Sequence, residues 1–500
     1  MLTETPHIAG GAKPARREAF PYLFVVFAAL LTLPILLPPY PPLVDYPSNL
    51  TRADILSRYW QVEHFRNIYV IQHVPLANLA IDLVVPPLAK IIGILAAGKL
   101  FLVLVFFVYA AGCYLLCGTA QGRPTWVAML LCCFFYNTAL TTGFMNYTAG
   151  IALYMLAFAC WLRWSSGWNA SRVTAFALLG IGCYFAHLSS IVILGISVFA
   201  VWCWESVSGR MGALALLWSA AAFVVPGILF IIVMRGPGRV GTVAWNSFIG
   251  KMQDLPLVIR TYSLPLDFII LAGTLLAVWL WVRASSGVTV HSPALVAGIT
   301  LFLCFLLSPK DLFTSNAVDL RFVWPATVLA TVAFRPRIQS RRAERCVACL
   351  LLLWIARTAV IGSVWEQLGN RQRQMIRVFD RLPFDASVYP VTFEAPDYDT
   401  AKRDNALRFT VNYAVVTRDA YVGGLTAVAY QQPLVRVGGP DFGTWNPGHP
   451  ELWRSYDYVW TYKATPELIS ELRSEATLVA SAFESALWRL DARRAQTRSN

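Results

Sequence analysis

Long apolar runs separated by short polar segments fill the chain up to residue 364. Runs such as YLFVVFAALLTLPILL and LFLVLVFFVYAAGCYLLC approach the roughly 20 residues that a helix needs to cross about 30 Å of hydrocarbon. The pattern predicts a mainly α, polytopic bundle with about eleven transmembrane helices. These lie at residues 21–39, 98–118, 124–142, 146–162, 173–187, 188–204, 212–234, 266–283, 293–308, 322–334 and 346–364.

The apolar stretch 75–97 is predicted not to cross the membrane. It contains Asp82, Pro86, Pro87 and Lys90, and a charge at the centre of a bilayer costs about 2.5–3.5 kcal/mol. A span here would also invert every later loop against the positive-inside pattern. We therefore interpret the stretch as an interfacial or re-entrant helix within a long outer loop, residues 40–97.

Residues 365–500 follow a different pattern, which is typical of a small soluble α/β domain. The segment GNRQRQMIRVFDRLP predicts an amphipathic helix that ends at a proline. Short apolar runs, separated by Pro, Gly and Asp clusters, predict strands. They are ASVYPV, FTVNYAVV, YDYVWTYK, ATLVASAF and ALWRLD.

Composition and charge support a membrane protein. Of the 500 residues, 57% are hydrophobic and 14% charged, which is too apolar for a soluble chain of this length. The net charge of +13 does not indicate nucleic-acid binding, because much of it lies in short loops on one side of the predicted bundle. By the positive-inside rule this side is cytoplasmic and the C-terminal domain is extracytoplasmic. The basic positions are residues 1–20, Arg123, Arg163, Arg172, Arg210, Arg283 and the cluster 335–345.

Familiar cofactor motifs are absent from the sequence. There is no GxxxxGK[ST], HExxH, GxSxG or EF-hand loop. The ten cysteines lie in or beside apolar segments without the second polar ligand pair of a zinc site. No cofactor, metal site or disulfide framework is therefore predicted, and candidate chemistry comes from polar residues at the outer ends of the spans.

Asp45 is the first candidate, in the segment PPYPPLVDYPSNLTRADIL that follows the first span. Pro41, Pro42 and Pro47 restrict the backbone on both sides of it, which would hold the carboxylate at a defined height above the bilayer. It is a candidate general base for an acceptor hydroxyl. The alternative is a helix N-cap or a solvated loop carboxylate.

Three further candidates lie at predicted outer ends of spans. Arg321, in DLRF, suits a phosphate because its planar fork donates two hydrogen bonds; the alternative is a snorkelling Arg paired with Asp319. His187, in FAHLSS, is a donor to phosphate or a structural histidine at a helix end. Asn146, in GFMNYTAG, is more typical of helix capping or interhelical hydrogen bonding. Arg260 is a weaker candidate for binding an anion.

This layout resembles the GT-C superfamily, membrane glycosyltransferases that use a polyprenyl-phosphate sugar. The resemblance rests on a basic N-terminus, one span, and an outer loop that opens with Asp and continues into a proline-bearing amphipathic helix. DYPSNLTRADIL resembles the DYPxHLAR-like opening of bacterial multi-span proteins of this type, and GFMNYTAG, FAHLSS and VDLRF resemble their later landmarks in the same order. The resemblance covers most of residues 20–365 and implies a GT-C-like fold in a bacterial inner membrane.

The resemblance implies inverting transfer of a sugar from a lipid-linked donor to a glycan, lipid or protein acceptor. The protein would be surrounded by membrane lipid and would bind the donor there. Asp45 matches the acidic catalytic residue of the first outer loop, and Arg321, His187 and Arg260 would bind the donor phosphate. Asp319, Asn146, Asn49 and Arg52 would support the site.

Two departures from the family pattern concern metal binding. Tyr46 stands where several GT-C transferases have a second acidic residue, and Asn49 stands where the related opening has His. Both departures count against a metal site and leave Asp45 to act largely alone.

Two other functional classes stay open from the residues. A transporter or lipid flippase would use the same polar residues without making bonds, and a non-catalytic scaffold would recruit partners through its C-terminal domain. Against transport, the charged residues cluster at the outer face and no two-half repeat is visible.

Overall fold

The computed structural model describes residues 14–165, 167–209, 213–234, 242–260, 262–285, 287–313, 315–336, 341–393, 403–425, 432–442 and 451–491. Residues 1–13 of the basic N-terminus, Arg210 and residues 337–340 of the basic cluster lie outside these ranges.

Helices dominate the first 377 residues, and every predicted span coincides with one or two of them. Seven of the described helices are long and apolar enough to cross a membrane, and three apolar segments are shorter. The predicted polytopic helical bundle is therefore confirmed. Its helices are α1 (Pro14–Leu30), α2 (Leu33–Leu36), α3 (Tyr46–Arg58), α4 (Glu63–Ile68), α5 (Ala80–Ile92), α6 (Ile94–Gln121), α7 (Trp126–Cys133), α8 (Thr138–Thr142), α9 (Met145–Trp164), α10 (Ala170–Ala186), α11 (Leu188–Val207), α12 (Ala213–Met234), α13 (Phe248–Asp254), α14 (Leu264–Ala284), α15 (Ser292–Leu307), α16 (Val323–Ala333) and α17 (Arg341–Arg377).

Two predicted spans are broken near one end. The span predicted at 21–39 consists of α1 and α2, with Thr32 bonding through its hydroxyl to the Ala29 carbonyl at 2.7 Å. The span predicted at 124–142 consists of α7 and α8, and Asn137 caps α8 by accepting from the Leu140 amide at 3.2 Å. An Asn at this position competes with the helix for backbone hydrogen bonds and so favours a new helix start.

The apolar stretch 75–97 contains a short helix of its own. Helix α5 ends at Ile92, because Gly93 leaves the helical region with a φ of +79°, and α6 starts at Ile94. Asp82 is buried, but a bidentate ion pair with Arg52 of α3 compensates its charge, at 2.7 and 3.0 Å. This pairing explains how a charged residue is tolerated inside an apolar segment.

The last span continues well beyond its predicted end. Helix α17 is 37 residues long and includes most of the amphipathic segment predicted after residue 364. A 3₁₀-helix, Val378–Arg381, follows it and stops before Pro383. One continuous helix thus connects the bundle to the C-terminal domain.

The C-terminal domain contains a mixed five-stranded sheet. The described strands of the whole chain are β1 (Tyr69–Ile71), β2 (Thr242–Ala244), β3 (Val288–Val290), β4 (Asp311–Phe313), β5 (Phe334–Pro336), β6 (Ser387–Thr392), β7 (Tyr421–Val422), β8 (Leu434–Arg436), β9 (Tyr458–Tyr462), β10 (Ala476–Ala482) and β11 (Ser485–Leu490). The strand order of the five-stranded sheet is β10-β11-β9-β6-β7, in which β6 runs parallel to β7 and β9 and the other pairs are antiparallel. The domain's helices are α18 (Tyr413–Arg418), α19 (Glu451–Arg454) and α20 (Pro466–Glu475).

The strand prediction for FTVNYAVV is wrong. This run forms a 3₁₀-helix, Thr410–Asn412, followed by α18. Thr410 accepts a hydrogen bond from Gln372 of α17 at 3.1 Å, and the Asn412 carbonyl accepts one from Thr51 of α3 at 2.9 Å. Contacts with two helices therefore override the β-branched composition of the run.

Two-stranded sheets join the loops at each end of the bundle. At one end, β1 pairs with β8 and β2 pairs with β4; at the other, β3 pairs with β5. We call the first the Asp45 end, because it contains Asp45, the start of α9, the α10–α11 turn and the C-terminal domain. Arg123, Arg163, Arg172, Arg283 and Arg335 all lie at the opposite end.

Candidate functional site

Asp45 lies where the chain passes from α2 to α3, against the end of α8. The Val44 and Asp45 amides donate to the carbonyls of Thr141 and Thr142 at 3.1 and 2.9 Å. Gly143 follows with a φ of +85°, and a Cβ atom on it would lie 2.6 Å from the Asp45 nitrogen. Position 143 therefore requires glycine for two reasons, its positive φ and the close approach of the Asp45 backbone.

The Asp45 carboxylate is left without a partner among the described residues. Asp45 occupies the N-cap position of α3, as the alternative interpretation predicted, but its side chain makes no capping bond. Its pKa is raised to about 6, mainly by burial, while the charge of Arg408 opposes the rise. The carboxyl is therefore ionised at neutral pH and is basic enough to accept a proton.

Asn49 and Arg52 hold the backbone around Asp45. The Asn49 amide group donates to the carbonyl oxygens of Asp45 and Gly143, at 3.0 and 3.3 Å. Arg52 donates to the Asn49 side-chain oxygen at 3.0 Å while paired with Asp82. Both residues thus have structural contacts that fix the position of Asp45.

Arg321 forms a second centre, at the start of α16. Its guanidinium donates to the Ser189 hydroxyl at 3.2 Å and to the Asn316 carbonyl at 3.1 Å. Its Nε is buried without a partner, and no carboxylate in the described ranges pairs with it. A partly buried guanidinium with a free Nε donor and no counter-charge is suited to an anion.

The alternative pairing of Arg321 with Asp319 is wrong. Asp319 is buried and pairs with Lys251 of α13 at 3.3 Å, and it accepts from the Leu320 amide at 2.9 Å. Lys251 also donates to the carbonyls of Phe305 and Ser308 at 2.7 and 2.5 Å. Asp319 therefore ties the loop containing α13 to the segment that carries Arg321.

His187 lies in the α10–α11 turn, close to Arg321. Its Nδ1 accepts from the Ser189 amide at 3.1 Å, which is the structural role of a helix cap. Burial, together with the charge of Arg321, lowers the pKa of His187 well below its usual value. The ring is therefore neutral with its proton on Nε2, so that it offers one further hydrogen-bond donor.

The start of α9 connects the two centres. Tyr147 donates to the Arg321 carbonyl at 2.7 Å and packs edge-on against the His187 ring, with centroids 5.5 Å apart. It lies four residues after Gly143, which contacts Asp45 just before α9 begins. Asp45 and Arg321 are thus held at the same end of one helix.

Asn146 has the interhelical role that its type predicted. It accepts from the Ile81 amide at 3.0 Å and donates to the Asn78 carbonyl. Asn78 in turn accepts from the Leu188 amide at 3.0 Å. The α10–α11 turn and the start of α5 are therefore fixed to α9.

Arg260 follows a 3₁₀-helix, Leu255–Ile259. None of the described contacts joins it to Asp45, His187 or Arg321, so its role in binding an anion stays a prediction. No group of three or more metal-ligating side chains occurs among the described residues.

Four contributors were not identified as site residues from the sequence. Three of them lie inside motifs that were singled out for other residues: Gly143 and Tyr147 in GFMNYTAG, and Ser189 in FAHLSS. The motifs therefore indicated the right segments. No feature of the sequence associated Arg408 with the site, because it lies more than 350 residues from Asp45 in the chain.

Two solved structures have this fold over nearly the whole chain. The crystal structure of ArnT from Cupriavidus metallidurans bound to undecaprenyl phosphate is 12% identical in sequence, has a TM-score of 0.54, and covers 94% of this chain and 98% of its own. The apo structure of that protein is 13% identical, has a TM-score of 0.54, and covers 95% and 98%. No protein-family model and no curated protein matches the sequence. The predicted GT-C-like fold is therefore confirmed by structure.

Proposed function

We propose that this chain, which has the fold of ArnT, is a membrane glycosyltransferase that moves a sugar from a lipid-linked phosphate donor to an acceptor hydroxyl. The proposal is carried by one observation: an unpartnered carboxylate, Asp45, and a guanidinium without a counter-charge, Arg321, are held at the same end of α9. A base and an anion site are the two groups that displacement of a phosphate by a hydroxyl requires.

The reaction is an inverting displacement. Asp45 takes the proton of the acceptor hydroxyl as its oxygen forms a bond to the anomeric carbon. The bond between that carbon and the phosphate oxygen breaks, and the lipid phosphate leaves with the bonding electrons. A pKa of about 6 suits Asp45 to this role, because its carboxyl is mostly ionised at pH 7 and still accepts a proton.

The leaving phosphate needs stabilisation of its developing charge. Arg321 supplies a fixed positive charge with its Nε free, and His187 supplies a neutral Nε2 donor beside it. Ser189 and Tyr147 hold both groups in place before the donor binds. Such preorganised donors are typically worth about 3–4 kcal/mol each in the transition state.

Sugar transfer by the purified protein in lipid nanodiscs tests the proposal. The donors are undecaprenyl-phosphate sugars, and mass spectrometry follows both the sugar-bearing acceptor and the freed lipid phosphate. We expect Asp45→Asn to lower the rate at least about 100-fold, because the amide accepts no proton. Asp441→Asn, an exposed carboxylate of the C-terminal domain, serves as the matched control and keeps the wild-type rate.

Equal rates for wild type and Asp45→Asn would contradict the role of Asp45. Movement of the donor across the bilayer without any cleavage of the sugar–phosphate bond would instead support a flippase.

A further inference from the structure

The helical turn that carries Arg321 also carries a carboxylate, Asp319. Both residues lie in one 3₁₀-helix, Asp319–Phe322, and the Cα atoms of residues two apart in a chain are at most about 7.6 Å from each other. A free carboxylate at this range would neutralise much of the positive charge that Arg321 offers to an anion. An anion site at Arg321 therefore requires that another group compensates Asp319.

The two side chains leave the turn in different directions. Positions two apart in a 3₁₀-helix lie on different sides of it, because the helix has three residues per turn. Arg321 donates to the Ser189 hydroxyl of α11 at 3.2 Å, whereas Asp319 faces Lys251 of α13 at 3.3 Å. None of the described hydrogen bonds or ion pairs joins Asp319 to Arg321.

Lys251 is buried, and its ammonium faces three oxygen atoms. Besides the Asp319 carboxylate, these are the carbonyl oxygens of Phe305 and Ser308, at 2.7 and 2.5 Å. Both carbonyls lie at the C-terminal end of α15, where the helix dipole favours a positive charge. The ammonium also lies 5.4 Å from the centroid of the Phe305 ring. These contacts fix the ammonium beside Asp319.

The backbone around this ion pair is held by separate contacts. Strand β2 pairs with β4, and the Lys310 amide donates to the Ala244 carbonyl at 2.8 Å. The Val318 amide, next to Asp319, donates to the Lys310 carbonyl at 2.8 Å. Replacing the Lys251 side chain therefore removes its charge while these backbone contacts remain.

We propose that Lys251 is a positioning residue for the donor phosphate: by holding the Asp319 carboxylate it keeps Arg321 free of a counter-charge. This inference rests on the proposed role of Arg321 in binding the lipid phosphate. The ion pair of Lys251 then serves the anion site two residues away, in addition to tying α13 to this turn.

Loss of the Lys251 charge should make Asp319 compete with the phosphate. Arg321 would be the cation in the same turn as the uncompensated carboxylate, and a neighbouring cation favours the ionised form of a carboxyl. A phosphate that binds Arg321 would then have to overcome the attraction between Arg321 and Asp319. The affinity for the phosphate should fall, whereas the affinity for the lipid tail should not.

Binding of two lipids to the full-length protein in detergent at pH 7.5 tests the proposal by isothermal titration calorimetry. Undecaprenyl phosphate is the probe, and undecaprenol has the same tail with a hydroxyl in place of the phosphate. We expect Lys251→Met to weaken binding of undecaprenyl phosphate at least about tenfold and to leave binding of undecaprenol unchanged.

Two further variants separate charge from structure. Lys251→Met/Asp319→Asn removes the competing carboxylate together with the ammonium, and should restore the wild-type affinity for undecaprenyl phosphate. Lys463→Met removes a lysine of the C-terminal domain that likewise pairs with a carboxylate, Asp404 at 2.6 Å, and should keep the wild-type affinity.

Wild-type affinity for undecaprenyl phosphate in Lys251→Met would overturn the proposal. An equal loss of affinity for both lipids would overturn it as well, because a distorted site, not a charge, would then be the cause. If Lys251→Met does not fold, the double variant decides, and weak binding of the phosphate by a double variant that melts like wild type would also contradict the proposal.

The proposed transferase activity is judged separately. If the affinities change as expected but no protein transfers sugar, the role of Lys251 stands and the transferase activity fails. If wild type binds undecaprenyl phosphate no better than undecaprenol, the role of Lys251 fails together with that of Arg321.

Discussion

At the scale of single residues, the candidate site combines two groups that the fold leaves uncompensated. Asp45 is a largely buried carboxylate with no hydrogen-bond partner among the described residues, and Arg321 is a guanidinium with a buried, unpaired Nε. Two other buried cations are paired, Arg52 with Asp82 and Lys251 with Asp319. Uncompensated charges reduce stability and persist where function needs them.

This cost predicts that Asp45→Asn stabilises the protein at neutral pH. The pKa of Asp45 is about 6 in the folded protein against 3.8 for the isolated group, so the folded state holds the proton more tightly. The penalty for ionising Asp45 is therefore absent below about pH 4, grows from there to pH 6 and stays constant above it, reaching at most about 3 kcal/mol. We expect Asp45→Asn to melt above wild type at pH 7.5.

Thermal melting in detergent at pH 4, 5, 6 and 7.5 checks this prediction. The increase in melting temperature of Asp45→Asn over wild type should vanish at pH 4. The control Asp441→Asn should show no increase at any pH. A gain that is independent of pH would mean that packing, not the buried charge, causes it.

The sequence identified most residues of the site but not their partners. Asp45 was identified from the flanking prolines and from its position just after the first span. Arg321 was identified because it is a positively charged residue at the end of a span. Ion pairs depend on contacts between residues that are distant in the chain. The local spacing suggested that Asp319 pairs with Arg321, but Asp319 pairs with Lys251, which is 68 residues away in the sequence. Likewise Asp82 appeared to be an isolated charge until the fold brought Arg52 to it.

At the scale of elements, the site is built from interruptions of helices. Asp45 lies between α2 and α3, Gly143 between α8 and α9, and His187 between α10 and α11. At such interruptions backbone amides and carbonyls lose their helical partners and bond to neighbouring segments instead, as those of Asp45 and Thr142 do at 2.9 Å. Hydropathy predicted the helices well, since length and apolar content suffice for that, but it does not resolve breaks within an apolar run.

Gly143→Ala should therefore displace Asp45. The added methyl would meet the Asp45 backbone nitrogen at 2.6 Å, and no side-chain rotation relieves a clash with backbone. Gly122, at the end of α6, offers a matched control, because it is also left-handed, with a φ of +74°, and the nearest atom to its Cβ position is a side-chain nitrogen of Arg335 at 3.6 Å. Each change carries a conformational cost of about 1–2 kcal/mol, and only Gly143→Ala adds the displacement.

Sugar-transfer rates and melting temperatures of the two variants check this prediction. A displacement of about 1 Å at a reacting group costs on the order of 100-fold in rate, so Gly143→Ala should lose that much while Gly122→Ala stays close to wild type. Equal activity of the two variants would show that the contact between Gly143 and Asp45 does not position the carboxylate.

At the scale of the whole molecule, the basic loops between helices and the candidate site lie at opposite ends of the bundle. Arg123, Arg163, Arg172 and Arg283 lie at one end, while Asp45, Arg321 and the C-terminal domain lie at the other. The alternation of basic and non-basic loops in the sequence predicted this separation. The docking of the C-terminal domain was not predictable, because β1 pairs with β8 across more than 360 residues and no local pattern records that pairing.

If the positive-inside rule sets the orientation, the Asp45 end faces away from the cytoplasm. A cysteine at Asp441, exposed in the C-terminal domain, should then react with a membrane-impermeant maleimide in intact bacterial cells. A cysteine at Val290, in the exposed strand β3 at the basic end, should react only after the cells are permeabilised. The wild-type protein, whose described native cysteines are mostly buried or partly buried, gives the background. The reverse labelling pattern would place Asp45 on the cytoplasmic side, where it would require a cytoplasmic acceptor.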